Sequence, residues 1–82
     1  NWDVKIISAF YTTDEKSIEL TTFVQDLISR GIFHFKVGNN FLTPDFDIHP
    51  GVLKYLNVIY WYRGEQKSIA VPENEFIRIP IL

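Results

Sequence analysis

Apolar and polar positions alternate with a period of two along most of the chain, and the places where that period breaks divide it into elements. Asp3 to Tyr11 (DVKIISAFY) reads as a first strand and Ser17 to Leu20 (SIEL) as a short second one, joined by the polar turn Thr12 to Lys16. The spacing then changes. Phe23, Val24, Leu27 and Ile28 recur as on one face of a helix, Thr22 with Gln25 three residues on forms a capping-box pattern, and Gly31 stands where a C-terminal cap belongs. This predicts a two-turn helix over Thr22 to Arg30. Ile32 to Val37 returns to alternation, with Phe33, Phe35 and Val37 inward and His34 and Lys36 outward. Gly38 to Gly51 holds two Gly, two Pro, two Asn and two Asp, which predicts a loop. The longest strand is Val52 to Arg63; a tight turn at Gly64-Glu65 leads into Lys67 to Val71, and Pro72 to Glu75 turns again into a last strand, Phe76 to Leu82.

Six strands, one short helix and no long crossover predict a mainly β fold, an antiparallel β-sandwich of immunoglobulin-like kind, as a single domain over residues 1–82. A chain this short builds one modest core, and with no cysteine it has no disulfide to support it. The residues are 46% hydrophobic and 16% aromatic; seven Phe, four Tyr and two Trp exceed what such a core needs, so some rings are expected at the surface. Eight Lys and Arg against ten Asp and Glu, with no basic run, exclude the clustered positive charge that binds nucleic acid. No apolar stretch approaches the roughly 20 residues of a membrane span; the longest, Val52 to Tyr62, is interrupted by Lys54 and Asn57. Because the sequence begins at Asn1, it reads as a processed mature chain or an excised piece.

Three groups of residues are candidates for chemistry or contact. Asp45, Asp47 and His49 alternate and would share one side of an extended segment, but they are also ordinary loop residues, and no metal or other cofactor is expected. With no Cys, no nucleophile motif and carboxylates scattered over turns, catalytic residues are expected to be none. The third group is aromatic. On the long strand Leu56, Val58, Tyr60 and Tyr62 share one face, and Tyr55, Asn57, Ile59 and Trp61 the other. If the first face is the core, Tyr55 and Trp61 stand outside and join Trp2 in a contact patch for protein or a stacking platform for sugar, unless the helix or a loop covers them.

The order I-I-S-A-x-Y, I-E-L-T-T-x-V-Q-D-L-I, F-x-F-K-V-G-N-N, D-x-x-P-G-x-x-K-x-L-x-V-x-Y and Y-R-G followed by E-x-I-R-I-P resembles a small β domain of unassigned function. That domain is found at the C-terminal end of a DnaJ-related protein family, and similar modules accompany secreted bacterial and fungal enzymes. Its sharpest part runs from Pro50-Gly51 to Arg63-Gly64, with Asp47, Lys54, Leu56, Val58 and Tyr60 at matching spacings, while Pro44 to His49 replaces the usual Gly-Asp. The resemblance implies an accessory or scaffolding module rather than an enzyme.

The end segments complete the reading. Trp2, Val4 and Ile6 in the first strand, and Phe76, Ile77, Ile79 and Ile81 in the last, are apolar edges that suit addition to a neighbouring sheet. The expected function is a non-enzymatic structural subunit that self-assembles into a homo-oligomer or an extracellular filament by strand addition. Its alternative is a carbohydrate-binding accessory domain of a secreted protein.

Overall fold

The computed structural model describes residues 4–80. Strands β1 (Val4–Thr12), β2 (Ser17–Glu19), β4 (Tyr55–Tyr62) and β5 (Glu65–Pro72) form a four-stranded antiparallel sheet in the order β2-β1-β4-β5. Strands β3 (His34–Lys36) and β6 (Phe76–Arg78) form a two-stranded antiparallel sheet. Helix α1 (Thr21–Ser29) lies between β2 and β3, and the single turn α2 (Asn39–Leu42) between β3 and β4. The chain is thus mainly β with six strands, as the alternation predicts. The two sheets are unequal, and a second helical turn occupies part of the segment expected to be all loop.

One buried cluster joins the elements. Val4, Ile6, Ala9 and Tyr11 of β1, Leu56, Val58 and Tyr60 of β4 and Val71 of β5 meet Val24, Leu27 and Ile28 of α1. Phe35, Val37, Ile77 and Ile79 from the smaller sheet and its flanks belong to the same cluster. Strict alternation could not place all four β1 residues on one face. A bulge at Ile7 shifts the register with β4 between Ile6 and Ser8, which resets the phase so that Ala9 and Tyr11 follow Val4 and Ile6 inward.

Helix α1 starts differently from the capping box. Its N-cap position is Leu20, without a side-chain cap, and the polar side chains of its first turns serve β1 instead. The Ala9 N–H donates to Thr21 Oγ1 (3.1 Å) and the Ile6 N–H to Gln25 Oε1 (2.8 Å). These groups lie on the β1 edge beyond the reach of β2, which pairs only with Phe10, Tyr11 and Thr12. The helix therefore seals a sheet edge. At its other end Gly31 adopts φ +82°, its N–H donates to Ile28 O (3.0 Å) and that of Ile32 to Leu27 O (2.9 Å), the paired bonds of a Schellman cap.

Candidate functional site

The face of the four-stranded sheet opposite the core is open among the described residues. Successive rows across it are set by the register: Lys5, Trp61 and Gln66; Ser8, Ile59 and Ser68; Phe10, Asn57 and Ala70 with Glu19 beside Phe10; Thr12, Tyr55 and Pro72 with Ser17 beside Thr12. Trp61 is 45% exposed, Tyr55 43%, Ile7 44% and Phe10 39%. No helix or loop covers the two rings of the expected patch. They do not form one platform either: they stand six positions apart along β4, about 20 Å at the rise of a strand. Ile59, Ile7 and Phe10 lie on the same face between them, so the patch is a stripe. Lys5 and Glu19 are the charged side chains in those rows. Beside Trp61, Lys5, Ile6 and Ile7 line a shallow recess of about 540 Å³.

At the Tyr55 end the stripe runs into a groove of about 820 Å³ lined by Thr13, Asp14, Glu15, His49, Val52, Leu53, Tyr55 and Asn57 among others. Thr13 Oγ1 accepts the N–H groups of Glu15 (3.3 Å) and Lys16 (3.1 Å), so its own proton goes to His49 Nδ1 at 2.9 Å. That leaves the proton of neutral His49 on Nε2, facing Glu15 Oε1 at 3.9 Å. Hydroxyl, imidazole and carboxylate stand in a row, but the hydroxyl oxygen is occupied by two donors and works as a turn-former. The contact ties the β1–β2 turn to the 43–54 segment.

Along that segment a polar chain runs from the buried Lys54 through the exposed Asp47 and the half-buried Asn39 to the buried Tyr11. Lys54 is only 2% exposed, and its Nζ reaches Asp47 Oδ1 (2.9 Å), the Val52 carbonyl (3.0 Å) and Glu73 Oε1 (3.8 Å). Asp47 also accepts the His49 N–H at Oδ1 (3.0 Å) and Asn39 Nδ2 at Oδ2 (3.1 Å), and Asn39 Oδ1 accepts the Tyr11 hydroxyl (2.8 Å). The hydrogen bond from Lys54, then that from the His49 backbone, holds the Asp47 carboxyl below its ordinary range. Burial, with the charges of Glu73 and Asp47, pushes Tyr11 up to about 12. The Asp45-Asp47-His49 alternation does not become a shared face, because residues 43–53 turn rather than extend and Asp47 is taken by Lys54. Among the described residues, no group of three or more His, Asp or Glu is placed to hold a metal ion.

Of the expected assembly residues, Val4, Ile6, Ile77 and Ile79 lie in the core of this chain. Ile77 and Ile79 are wholly buried, and β6 pairs with β3 residue for residue, so the segment from Phe76 is part of this chain's own sheet rather than a projecting edge. Phe76 is outward and stacks on His34 with ring centroids 5.1 Å apart. Val4 and Ile6 are buried and β1 pairs with β4 from Val4 to Thr12. Trp2 and Ile81 lie outside the described residues. Part of the aromatic surplus forms a ring cluster, in which the exposed Phe41 packs against Phe23 (5.8 Å) and the buried Phe35 (5.2 Å).

The sequence reading missed the roles of Thr21 and Gln25 at the edge and of Tyr11, Asn39, Lys54 and Glu73 in the polar chain. One signal was present: Lys54 occupies the core phase of the period that continues through Leu56, Val58 and Tyr60.

No protein-family model matches the chain, and no curated protein or solved structure matches it. The resemblance described above, which covers nearly the whole chain and is sharpest from Pro50 to Gly64, rests on the sequence motifs alone.

Proposed function

We propose that the protein is a non-enzymatic interaction module, an extracellular structural subunit that associates with copies of itself through its four-stranded sheet. The open outer face carries this reading. An apolar stripe from Trp61 through Ile59, Ile7 and Phe10 to Tyr55, rimmed by Ser8, Ser17, Asn57, Gln66 and Ser68 with Lys5 beside Trp61 and Glu19 beside Phe10, has the composition of a contact surface, with aromatic anchors at its ends and a mostly uncharged polar rim. Contact through the sheet is favoured over donation of a terminal strand, because withdrawing β1 or β6 would uncover Val4, Ile6, Ile77 and Ile79. A closed pair and a growing filament are the two forms such contact takes. The setting outside the cell is supported by the resemblance to modules of secreted enzymes. The sharing of one core by two antiparallel sheets supports a sandwich of immunoglobulin-like kind, with α1 sealing one edge.

Sedimentation velocity over a concentration series tests the reading. The wild-type chain is expected to grow beyond 9.6 kDa with concentration, and Trp61→Ala to shift that growth to higher concentration at unchanged melting temperature. A monomer at every concentration would sink it.

A carbohydrate-binding accessory domain is the second reading, and the groove favours it. Tyr55 offers a ring face to a sugar, and Asp14, Glu15 and Asn57 offer acceptors and a donor around it. Glycan-array binding that Tyr55→Ala abolishes and Trp61→Ala leaves intact would establish this reading; an array without signal would remove it.

A further inference from the structure

The two long edges of the four-stranded sheet are treated unequally. On the β1 side, β2 pairs with Phe10 to Thr12, and Thr21 and Gln25 take the N–H groups of Ala9 and Ile6. On the other side β5 is the last strand, eight residues long, and no described residue pairs with its outer edge. Its register fixes which groups point outward. Arg63 (φ 51°) and Gly64 (φ 80°) form a two-residue turn with both positions left-handed, which makes Tyr62 and Glu65 a hydrogen-bonded pair. The ladder to β4 then uses Lys67, Ile69 and Val71. The N–H and C=O groups of Gln66, Ser68 and Ala70 are left facing out, whereas the Pro72 carbonyl accepts the Glu75 N–H (3.2 Å) in the turn that follows.

We propose that β5 is a self-association edge at which two copies pair their β5 strands antiparallel, with Ile69 of one copy opposite Ile69 of the other. The inference rests on the association reading above and names the edge that carries it. Natural edges are blunted by bulges, charge or brevity, and β5 has little of this. It runs against β4 one-to-one from Glu65 to Pro72 without a bulge, and Lys67, its one charge between Gln66 and Val71, is paired with Glu65 at 3.3 Å. The strand is also its own complement. With the two-fold axis at Ile69, Ser68 and Ala70 of each copy exchange N–H···O bonds with Ala70 and Ser68 of the other. The ladder stops at Pro72 at each end, where the carbonyl is taken by the Glu75 N–H and proline has no N–H to give. Ile69 lies beside Ile69, the Lys67 stem beside Val71, and Ser68 beside Ala70. The nearest like charges, Glu65 and Glu73 of the other copy, face each other at the ends of the paired stretch, where Lys67 lies 3.3 Å from Glu65 and Lys54 3.8 Å from Glu73. A two-fold perpendicular to the sheet keeps both cores on one side and both apolar stripes on the other, in one continuous sheet. Such a contact is isologous and closes as a dimer.

The chain contains no cysteine, so Ile69→Cys supplies one thiol per copy. A non-hydrogen-bonded antiparallel pair sets the two Cβ atoms within disulfide range. Mild oxidation at low concentration is expected to give a species of twice 9.6 kDa on non-reducing electrophoresis. Ser68→Pro deletes an outward N–H and none of the bonds to β4, and is expected to weaken dimerisation by about tenfold in sedimentation equilibrium with the circular dichroism spectrum unchanged. If that variant is unfolded, the thiol result decides alone. A wild-type chain that associates while Ile69→Cys remains a free thiol overturns the β5 edge and leaves contact through the outer face standing. A wild-type chain that stays monomeric to millimolar concentration overturns both.

Discussion

Lys54 shows how one residue organises the segment around it. A lysine at 2% exposure is tolerated only because Asp47 Oδ1 and the Val52 carbonyl lie within 3.0 Å of its ammonium, and this demand bends residues 47–54 back over the end of the core. The same network reaches Tyr11 through Asn39, and it ties stability to pH at both ends of the scale. Asp47 ionises more readily when folded, so its contribution is present above the ordinary carboxylate pKa and is lost as pH falls through the lowered folded value. Tyr11 is raised from 10.0 to about 12, so its contribution is full below pH 10 and is lost as pH rises towards 12, where the unfolded chain releases the phenolic proton and the folded one keeps it. Tyr11→Phe removes the donor to Asn39 and is expected to cost about 1 kcal/mol at neutral pH. It should also flatten the fall in urea midpoint between pH 10 and 12, and a variant with the same alkaline fall as wild type would show that another group titrates there. The sequence held a sign of Lys54, a charge one residue before β4 on the phase that Leu56, Val58 and Tyr60 continue, but not of its partners. Tyr11 was not, because the Ile7 bulge sets its phase, and a bulge leaves no mark in an unbroken run of strand-forming residues.

At the scale of elements, strand alternation and the helical spacing of Phe23, Val24, Leu27 and Ile28 were enough to locate all six strands and α1. The use of the polar residues in α1 was not legible, since Thr followed by Gln reads equally as a local cap or as acceptors for the N–H groups of a distant strand. The structure resolves the competition in favour of β1, where unsatisfied N–H groups at a partly buried edge cost more than a helix start that water can solvate. Gln25→Leu is expected to destabilise the chain by about 1–2 kcal/mol by stranding the Ile6 N–H, measured as a lower urea midpoint with unchanged slope. An unchanged midpoint would show that the edge needs no cap. Gly31→Val probes the other end of the helix. A Cβ there meets no atom within 4 Å, so the cost is that of holding a β-branched residue at φ +82°, about 1–2 kcal/mol. Gly31→Ala should cost less, and equal melting temperatures for all three proteins would contradict the cap.

For the whole molecule, the decisive asymmetry is between a sheet whose inner face and one edge are sealed by α1 and the smaller sheet, and whose outer face and other edge are not. The sequence showed that both faces of β4 carry rings but not which face would be covered; that depends on α1 packing on the side of Leu56, Val58 and Tyr60, a long-range choice with no local signal. It also suggested that the C-terminal strand was the open one, because an apolar alternation at a chain end looks unpartnered until β3, some forty residues earlier, is found beside it. The surface left open is nearly free of charge, with Lys5 and Glu19 in its rows and a net charge of −2 on the whole chain. Association through it should therefore respond to solvent as apolar burial does. Raising sodium chloride from about 50 to 500 mM shortens the screening length from roughly 14 to 4 Å and is expected to leave the dissociation constant within about twofold. Sodium sulfate should tighten it and cooling should weaken it, because the driving term is the removal of apolar surface from water. A dissociation constant that rises tenfold or more across the same chloride range would instead place the contact on the charged periphery, at groups such as Glu15, Lys16 and Arg63, and would remove the Trp61 to Tyr55 stripe as its anchor.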